Sequence, residues 1–171
     1  MIQLAYQPAY DPYHTAFRLL RLTMGKSEAV FKIDQLRILD FYLAFPRLIS
    51  DIEGLKRKIK LAGLDEIPPA YGELPSAGVL FRQMAPIQEA AIQTLCLQGI
   101  FDFDREAFFA GSVSLLETGL PDKLSSFVSK KNQEEENLMA FLLSILFELP
   151  LDGPNGLKHR TGLMEHRYDY V

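Results

Sequence analysis

Apolar residues cover most of the helical circumference of residues 33–52, which read IDQLRILDFYLAFPRLISDI. The exceptions are Arg37, Asp40, Ala44 and Arg47, which recur at helical spacing and form one narrow stripe. A helix with so wide an apolar surface is expected at the centre of the fold, with other helices around it. Arg37 and Asp40 are three residues apart, and a weak solvated contact between them is favoured over a functional role.

Proline and glycine residues set the boundaries of the predicted helices. Pro46 lacks the N–H that a helix interior needs, so the central stretch is expected to break into helices at residues 36–44 and 46–53. Asp11 and Pro12 are typical of a helix start and Gly25 of a stop, which predicts a first helix over residues 12–24. Its apolar face leaves Arg18 and Arg21 towards the opposite side. A later run, residues 138–149, forms another continuous apolar face.

A helix followed by two strands is predicted in the second half of the chain. Pro86 suits a helix start and Gly99 a helix stop, residues 100–104 alternate like a strand, and residues 107–116 supply its partner. This order is typical of the end of a winged helix. The predicted helix, residues 86–98, carries no Arg or Lys, which makes it a poor surface for reading DNA. The fold class is therefore expected to be mainly α with a small β element, a helical domain with winged-helix-like features.

The clearest loop is residues 67–79, which contain three prolines and two glycines. It is the best candidate for a hinge-like connection within what the length of 171 residues indicates is a single domain, residues 1–171. Residues 152–156, DGPNG, predict a turn, and residues 164–170 alternate as on a terminal strand.

The charge balance argues against a protein that coats nucleic acid, because 18 basic residues face 22 acidic ones. The one dense basic run is Lys56, Arg57, Lys58 and Lys60. These cations are suited to a phosphate backbone or an acidic partner, but an amphipathic segment with a solvated charged face is favoured. Residues 1–10 lack the features of a signal peptide, and the most apolar run, residues 138–147, is about half the ~20 residues that a membrane span needs. A cytoplasmic location without membrane association is expected.

Sequence signatures of catalysis are absent from the chain. It contains no GxxxxGK[ST] or GxGxxG phosphate loop and no HExxH or cysteine-rich metal pattern, so we expect no enzyme activity, no cofactor and no metal. The single Cys96 lies in an apolar run and is interpreted as a small buried residue of a protein in a reducing compartment. Asp51 and Glu53 with Lys56 do not amount to a nuclease site, because no second carboxylate set accompanies them.

Four segments together resemble the middle components of bacterial ABC three-component systems: DPYHTAFRLLRL, IDQLRILDFYLAFP, APIQEAAIQTLCLQGIFD and DGPNGLKHRTGLMEHRYD. The most specific parts are residues 37–46 and 154–163. The resemblance implies a small winged-helix-like protein without catalysis. It also implies a link between an ABC ATPase related to the structural-maintenance-of-chromosomes (SMC) family and a variable effector, often a nuclease. Such systems act against phages and plasmids, and Lamassu-type systems are similar in organisation.

Two functional hypotheses follow from the sequence and the resemblance. In the first, which we prefer, the chain is a non-enzymatic adaptor that contacts its partners through the region of Lys158, His159, Arg160 and Arg167. In the second, it is a stand-alone winged-helix DNA-binding regulator that uses the basic run of residues 56–60. A DNA contact made only within an assembled complex is compatible with the first hypothesis.

Overall fold

The computed structural model describes residues 7–68, 74–103 and 111–164, and it confirms a mainly α-helical fold with a small sheet. Helix α1, Pro12–Gly25, begins where the sequence predicts, because the Asp11 carboxylate accepts a 2.9 Å hydrogen bond from the His14 backbone N–H. Arg18 and Arg21, which the sequence places on the side opposite the apolar face, are buried, because their guanidinium groups reach acidic partners on neighbouring elements.

Helix α2, Ile33–Ala44, is the centre of the core, as predicted. The break at Pro46 is confirmed, and a 3-10 helix at Pro46–Asp51 follows it. Phe41 is fully buried and contacts the rings of Tyr42, Phe45 and Phe81 at centroid separations of 5.2 to 5.7 Å. The expected polar stripe is not solvated at Asp40, whereas Arg37 and Arg47 remain partly exposed. Asp40 is fully buried and pairs with Arg18 instead of forming a weak surface contact with Arg37.

The sheet of the described residues has three antiparallel strands in the order β1-β3-β2. Strands β2, Phe101–Phe103, and β3, Ser112–Leu115, form the predicted pair, with Phe101 opposite Leu115. Strand β1, Val30–Lys32, was not predicted. It consists of three residues just before α2 and exists through its pairing with β3, in which Phe31 lies opposite Val113.

Helix α4, Ala77–Leu97, is longer than predicted and contains Pro86 in its interior rather than at its start. Its first half buries Leu80, Phe81 and Met84, and this packing compensates for the hydrogen bond that Pro86 removes. The predicted loop is therefore shorter at its C-terminal end, because residues 77–79 are helical. Residues 69–73 of the hinge-like loop lie outside the described part of the chain.

The remaining helices are short or lie at the surface. Helix α3, Lys56–Leu61, follows the 3-10 helix, and α5, Asp122–Glu134, buries Val128 alone. Helix α6, Glu136–Phe141, continues into a π-helical turn at Leu142–Leu146 and completes the core, as its apolar run predicts. Bends at 151–156 lead into α7, Leu157–Thr161. The predicted terminal strand lies almost entirely in residues 165–171, outside the described residues.

Among the helices that the structure describes, none has both the length and the apolarity that crossing a bilayer requires.

Candidate functional site

A buried ionic cluster fastens α1, α2 and α4 to one another. Asp40 Oδ1 accepts a hydrogen bond of 2.7 Å from Arg18 Nε, and its Oδ2 accepts one of 2.8 Å from Gln88 Nε2. Gln88 also accepts from Arg37 Nε at 3.2 Å and donates to the Arg37 carbonyl at 3.0 Å. No buried side-chain polar atom of the described residues lacks a hydrogen-bond partner, so this cluster stabilises the scaffold.

A second set of polar contacts joins α1 to the end of α5. Arg21 Nε donates to Asn132 Oδ1 at 2.9 Å, and Arg21 Nη2 donates to Glu135 Oε2 at 2.6 Å. Asn132 returns a hydrogen bond of 3.0 Å to the Arg21 carbonyl. These contacts hold α5 beside α1 although α5 contributes little to the core.

Between these helices lies a groove of about 880 Å³, which we call the α1–α5 groove. Tyr13 is 87% exposed at one wall and Phe127 is 60% exposed at the other. The ring of Phe127 lies 5.2 Å from that of Phe17. The other lining residues described come from the chain before α1, from α1 itself, from the end of α2 and the 3-10 helix after it, from the chain before α4, and from α5: Gln7, Pro8, Ala9, His14, Arg18, Arg21, Leu43, Ala44, Phe45, Arg47, Leu74, Lys130, Lys131 and Glu134.

The predicted C-terminal contact region is only partly available at the surface. Lys158 is half-buried and pairs with Asp34 at 3.0 Å and with Asp152 at 3.1 Å. Burial alone would lower the pKa of Lys158, but the hydrogen bonds and charges of the two carboxylates outweigh it and raise that pKa above its usual value. Arg160 donates to the carbonyls of Asn155 at 2.9 Å and Glu53 at 3.1 Å. Both side chains thus have structural contacts.

The other two residues of that region differ from them. His159 is exposed on α7, whereas Arg167 lies outside the described residues. The region as described is therefore a helix whose two flanking cations contact other parts of the chain and whose middle residue is exposed.

The basic run forms one side of α3. Lys56, Arg57, Lys58 and Lys60 are all exposed, while Ile59 is buried beneath them. This arrangement agrees with the amphipathic segment that the sequence favoured, in which the charged face is solvated. The structure brings the run close to α7, because the Glu53 backbone N–H donates to the Arg160 carbonyl at 3.0 Å just before α3 begins.

Cys96 lines a separate, largely apolar groove of about 430 Å³ together with Ile92, Leu97 and Phe103. Desolvation by burial, reinforced by the nearby charge of Asp102, raises the pKa of the Cys96 thiol above its usual value. A raised pKa lowers the thiolate fraction and disfavours a nucleophilic role. Within the described ranges, no group of three or more His, Cys, Asp or Glu side chains is placed to hold a metal ion.

The α1–α5 groove was missed by sequence reasoning. Its walls come from positions more than a hundred residues apart, such as Tyr13 and Phe127, and no periodic pattern connects them. One signal was present: Phe127 is a large apolar residue in the segment SSFVSKK, whose only other apolar residue is Val128, although a single apolar residue of this kind is ordinary by itself.

Comparison with protein-family models gives a match to ABC-three component (ABC-3C) system Middle Component 5, abbreviated MC5, over residues 4–169. Neither the curated proteins nor the solved structures give a match.

Proposed function

Because the chain belongs to the Middle Component 5 family of ABC-three component systems, we propose that it is a non-enzymatic adaptor. In this role it links an SMC-like ABC ATPase to an effector subunit, often a nuclease, in a bacterial complex that acts against phages or plasmids. The observation that carries the proposal is the family match, which extends over nearly the whole chain. An adaptor needs accessible contact surfaces, and the exposed aromatic residues of the α1–α5 groove provide one.

The connectivity supports a winged-helix-like scaffold for this adaptor. Helix α1, strand β1 and helix α2 come first, and the short helix α3, helix α4 and the β2–β3 pair follow them along the chain. The three strands form one sheet with β3 in the middle. In such a scaffold α4 holds the position of a recognition helix. Its C-terminal half exposes Glu89, Gln93 and Leu97, and Arg82 is the one cation in the helix. That surface favours contact with protein rather than with DNA.

Co-purification tests the proposal directly. The full chain carrying an affinity tag is co-expressed with the ABC ATPase and the effector encoded beside it, and the complex is analysed by size-exclusion chromatography with light scattering. We expect a stable assembly that contains all three subunits, and loss of the ATPase–effector association when the middle subunit is omitted. A chain that stays monomeric and binds neither subunit would overturn the proposal.

A second candidate function rests on the exposed basic run of α3. Within the described part of the chain, none of its four cations lies within 4.0 Å of a carboxylate, so all four are available to phosphates. A DNA-binding regulator would lose affinity steeply with added salt, and the quadruple alanine variant at Lys56, Arg57, Lys58 and Lys60 would reduce the logarithmic salt slope by up to about four. Duplex binding that is unaltered in this variant would exclude this candidate.

A further inference from the structure

The α1–α5 groove combines exposed aromatic side chains with a local excess of positive charge. Resting on the proposed adaptor function, we propose that this groove binds an acidic segment of a partner subunit that carries an aromatic or aliphatic anchor residue. The anchor would insert between Tyr13 and Phe127, and the acidic residues beside it would meet Arg47 and Lys130.

The apolar part of the site is larger than isolated surface residues explain. Single exposed apolar residues are ordinary, but Tyr13 and Phe127 are 87% and 60% exposed on two helices that border the same groove. Between them the half-buried residues Phe17 and Phe45 extend the apolar surface inward. A concave apolar surface with aromatic residues at its edges is the usual setting for a buried anchor residue at a protein interface.

The charge of the groove selects an acidic occupant. Five cationic side chains line it: Arg18, Arg21, Arg47, Lys130 and Lys131. Three carboxylates offset part of this charge, because Asp40 pairs with Arg18, Glu135 with Arg21, and Glu134 with Lys131. Arg47 and Lys130 remain without a carboxylate within 4.0 Å among the described residues, so the groove has a local excess of two positive charges. The chain as a whole carries a net charge of −4, so this excess is a local feature.

Nucleic acid fits the groove less well than an acidic peptide segment. With two unpaired cations, binding would release about two counterions, which is far fewer than the 6–10 phosphate contacts of typical DNA-binding proteins. A second copy of this chain also fits poorly. In a symmetric dimer each groove would face its own copy, so the two positive excesses would oppose each other.

The groove is also held in shape before any partner arrives. Arg21, Asn132 and Glu135 fasten α5 to α1 through three hydrogen bonds of 2.6 to 3.0 Å. A preformed site avoids the free energy of ordering its walls on binding. The partner segment alone would have to become ordered.

Matched variants of the full chain test the proposal against the purified ATPase and effector. Phe127→Ser removes one aromatic wall, and the pair Arg47→Glu with Lys130→Glu reverses the charge. Leu61→Ser is the apolar control, since Leu61 is 79% exposed on α3 outside this groove, and Lys32→Glu with Lys123→Glu is the charge control, since both lysines are exposed and lie outside the groove. We expect both groove variants to weaken binding of one subunit at least tenfold and both controls to stay within twofold, with circular dichroism unchanged in all four.

Photo-crosslinking identifies the occupant. With the photoreactive amino acid p-benzoylphenylalanine in place of Tyr13, mass spectrometry should locate the crosslink in a partner segment rich in Asp and Glu beside an aromatic or aliphatic residue. Crosslinks to a second copy of the chain or to a duplex DNA probe would overturn the proposal, as would groove variants that bind like the unmodified chain. If the unmodified chain binds neither subunit, the adaptor function itself fails; if it binds and the groove variants bind equally well, only the groove assignment fails.

Discussion

The most informative substitution for the architecture is Asp40→Asn, which removes a buried charge without changing the size of the side chain. Asp40 is fully buried and accepts from Arg18 Nε at 2.7 Å, from Arg18 Nη2 at 3.3 Å and from Gln88 Nε2 at 2.8 Å. In asparagine an NH₂ group replaces one of the two carboxylate oxygens. At either position this NH₂ group would face a hydrogen-bond donor of Arg18 or Gln88. Gln88 cannot flip to accept from it without losing its own contacts with Arg37.

The expected loss of folding free energy follows from the guanidinium of Arg18, which remains buried after the substitution. Removing one partner of a buried ion pair typically costs about 3–5 kcal/mol, because the other charge stays buried and uncompensated. Asparagine keeps one acceptor oxygen for the Arg18 guanidinium. We therefore expect Asp40→Asn to lower the free energy of unfolding by about 3 kcal/mol, near the lower end of that range. For a chain of this length this corresponds to a fall in Tm of about 6–12 °C. The free energy of unfolding is measured by urea denaturation followed by circular dichroism, and Tm by calorimetry.

A surface ion pair of the same length provides the control. Lys26 Nζ and Glu148 Oε1 are also 2.7 Å apart, but the Glu148 side chain is 60% exposed. Glu148→Gln is expected to cost less than about 1 kcal/mol, because solvent screens an exposed pair. The reasoning would be refuted if Asp40→Asn cost no more than Glu148→Gln, since burial would then not determine the contribution of the pair.

Three further predictions concern other parts of the chain. Gly54→Ala should lower the free energy of unfolding, measured by urea denaturation, by about 1 kcal/mol more than Gly63→Ala. Both glycines have positive φ, so the backbone strain is similar. A Cβ at Gly54 would also displace the guanidinium of Arg160 from its hydrogen bonds, whereas a Cβ at Gly63 would meet no atom within 4 Å. Alkylation of Cys96 by iodoacetamide near pH 8 should be slower than that of a free thiol, because burial and the Asp102 charge raise the thiol pKa and lower the thiolate fraction. Asp102→Asn should accelerate the alkylation. A rate equal to that of a free thiol would contradict this prediction. Lys158→Ala should lower the free energy of unfolding by about 0.5–1 kcal/mol, whereas unchanged stability with lost partner binding would assign Lys158 to a partner contact instead.

Local rules predicted several elements of the fold correctly. Asp11 and Pro12 start α1, Pro46 ends the central helix, and the alternation after Gly99 gives the β2–β3 pair. Each of these depends on residues adjacent in sequence, through capping, the missing proline N–H or side-chain alternation. The resemblance to ABC three-component middle components was likewise readable from the sequence, and the family match bears it out.

The candidate site was much less predictable. The partner contact of Lys158 and Arg160 stays a prediction, and local patterns did not show that Asp34 and Glu53, both more than a hundred residues earlier, also contact them. The α1–α5 groove depends on the packing of α5 against α1, where the ring of Phe127 lies 5.2 Å from that of Phe17. A pattern confined to one helix contains no information about such long-range neighbours.

The sequence by itself therefore determined where α1 starts, where the central helix ends, which faces are apolar and that the chain resembles ABC three-component middle components. Tertiary structure decided which charged residues are buried and which surface is open. Arg18 is buried because Asp40 lies opposite it. Helix α4 continues through Pro86 because the burial of Phe81 and Met84 compensates for the missing hydrogen bond. The physical reason is that helix boundaries depend on local backbone geometry. The burial of a charge or a proline depends instead on the total free energy of contacts between segments distant in sequence.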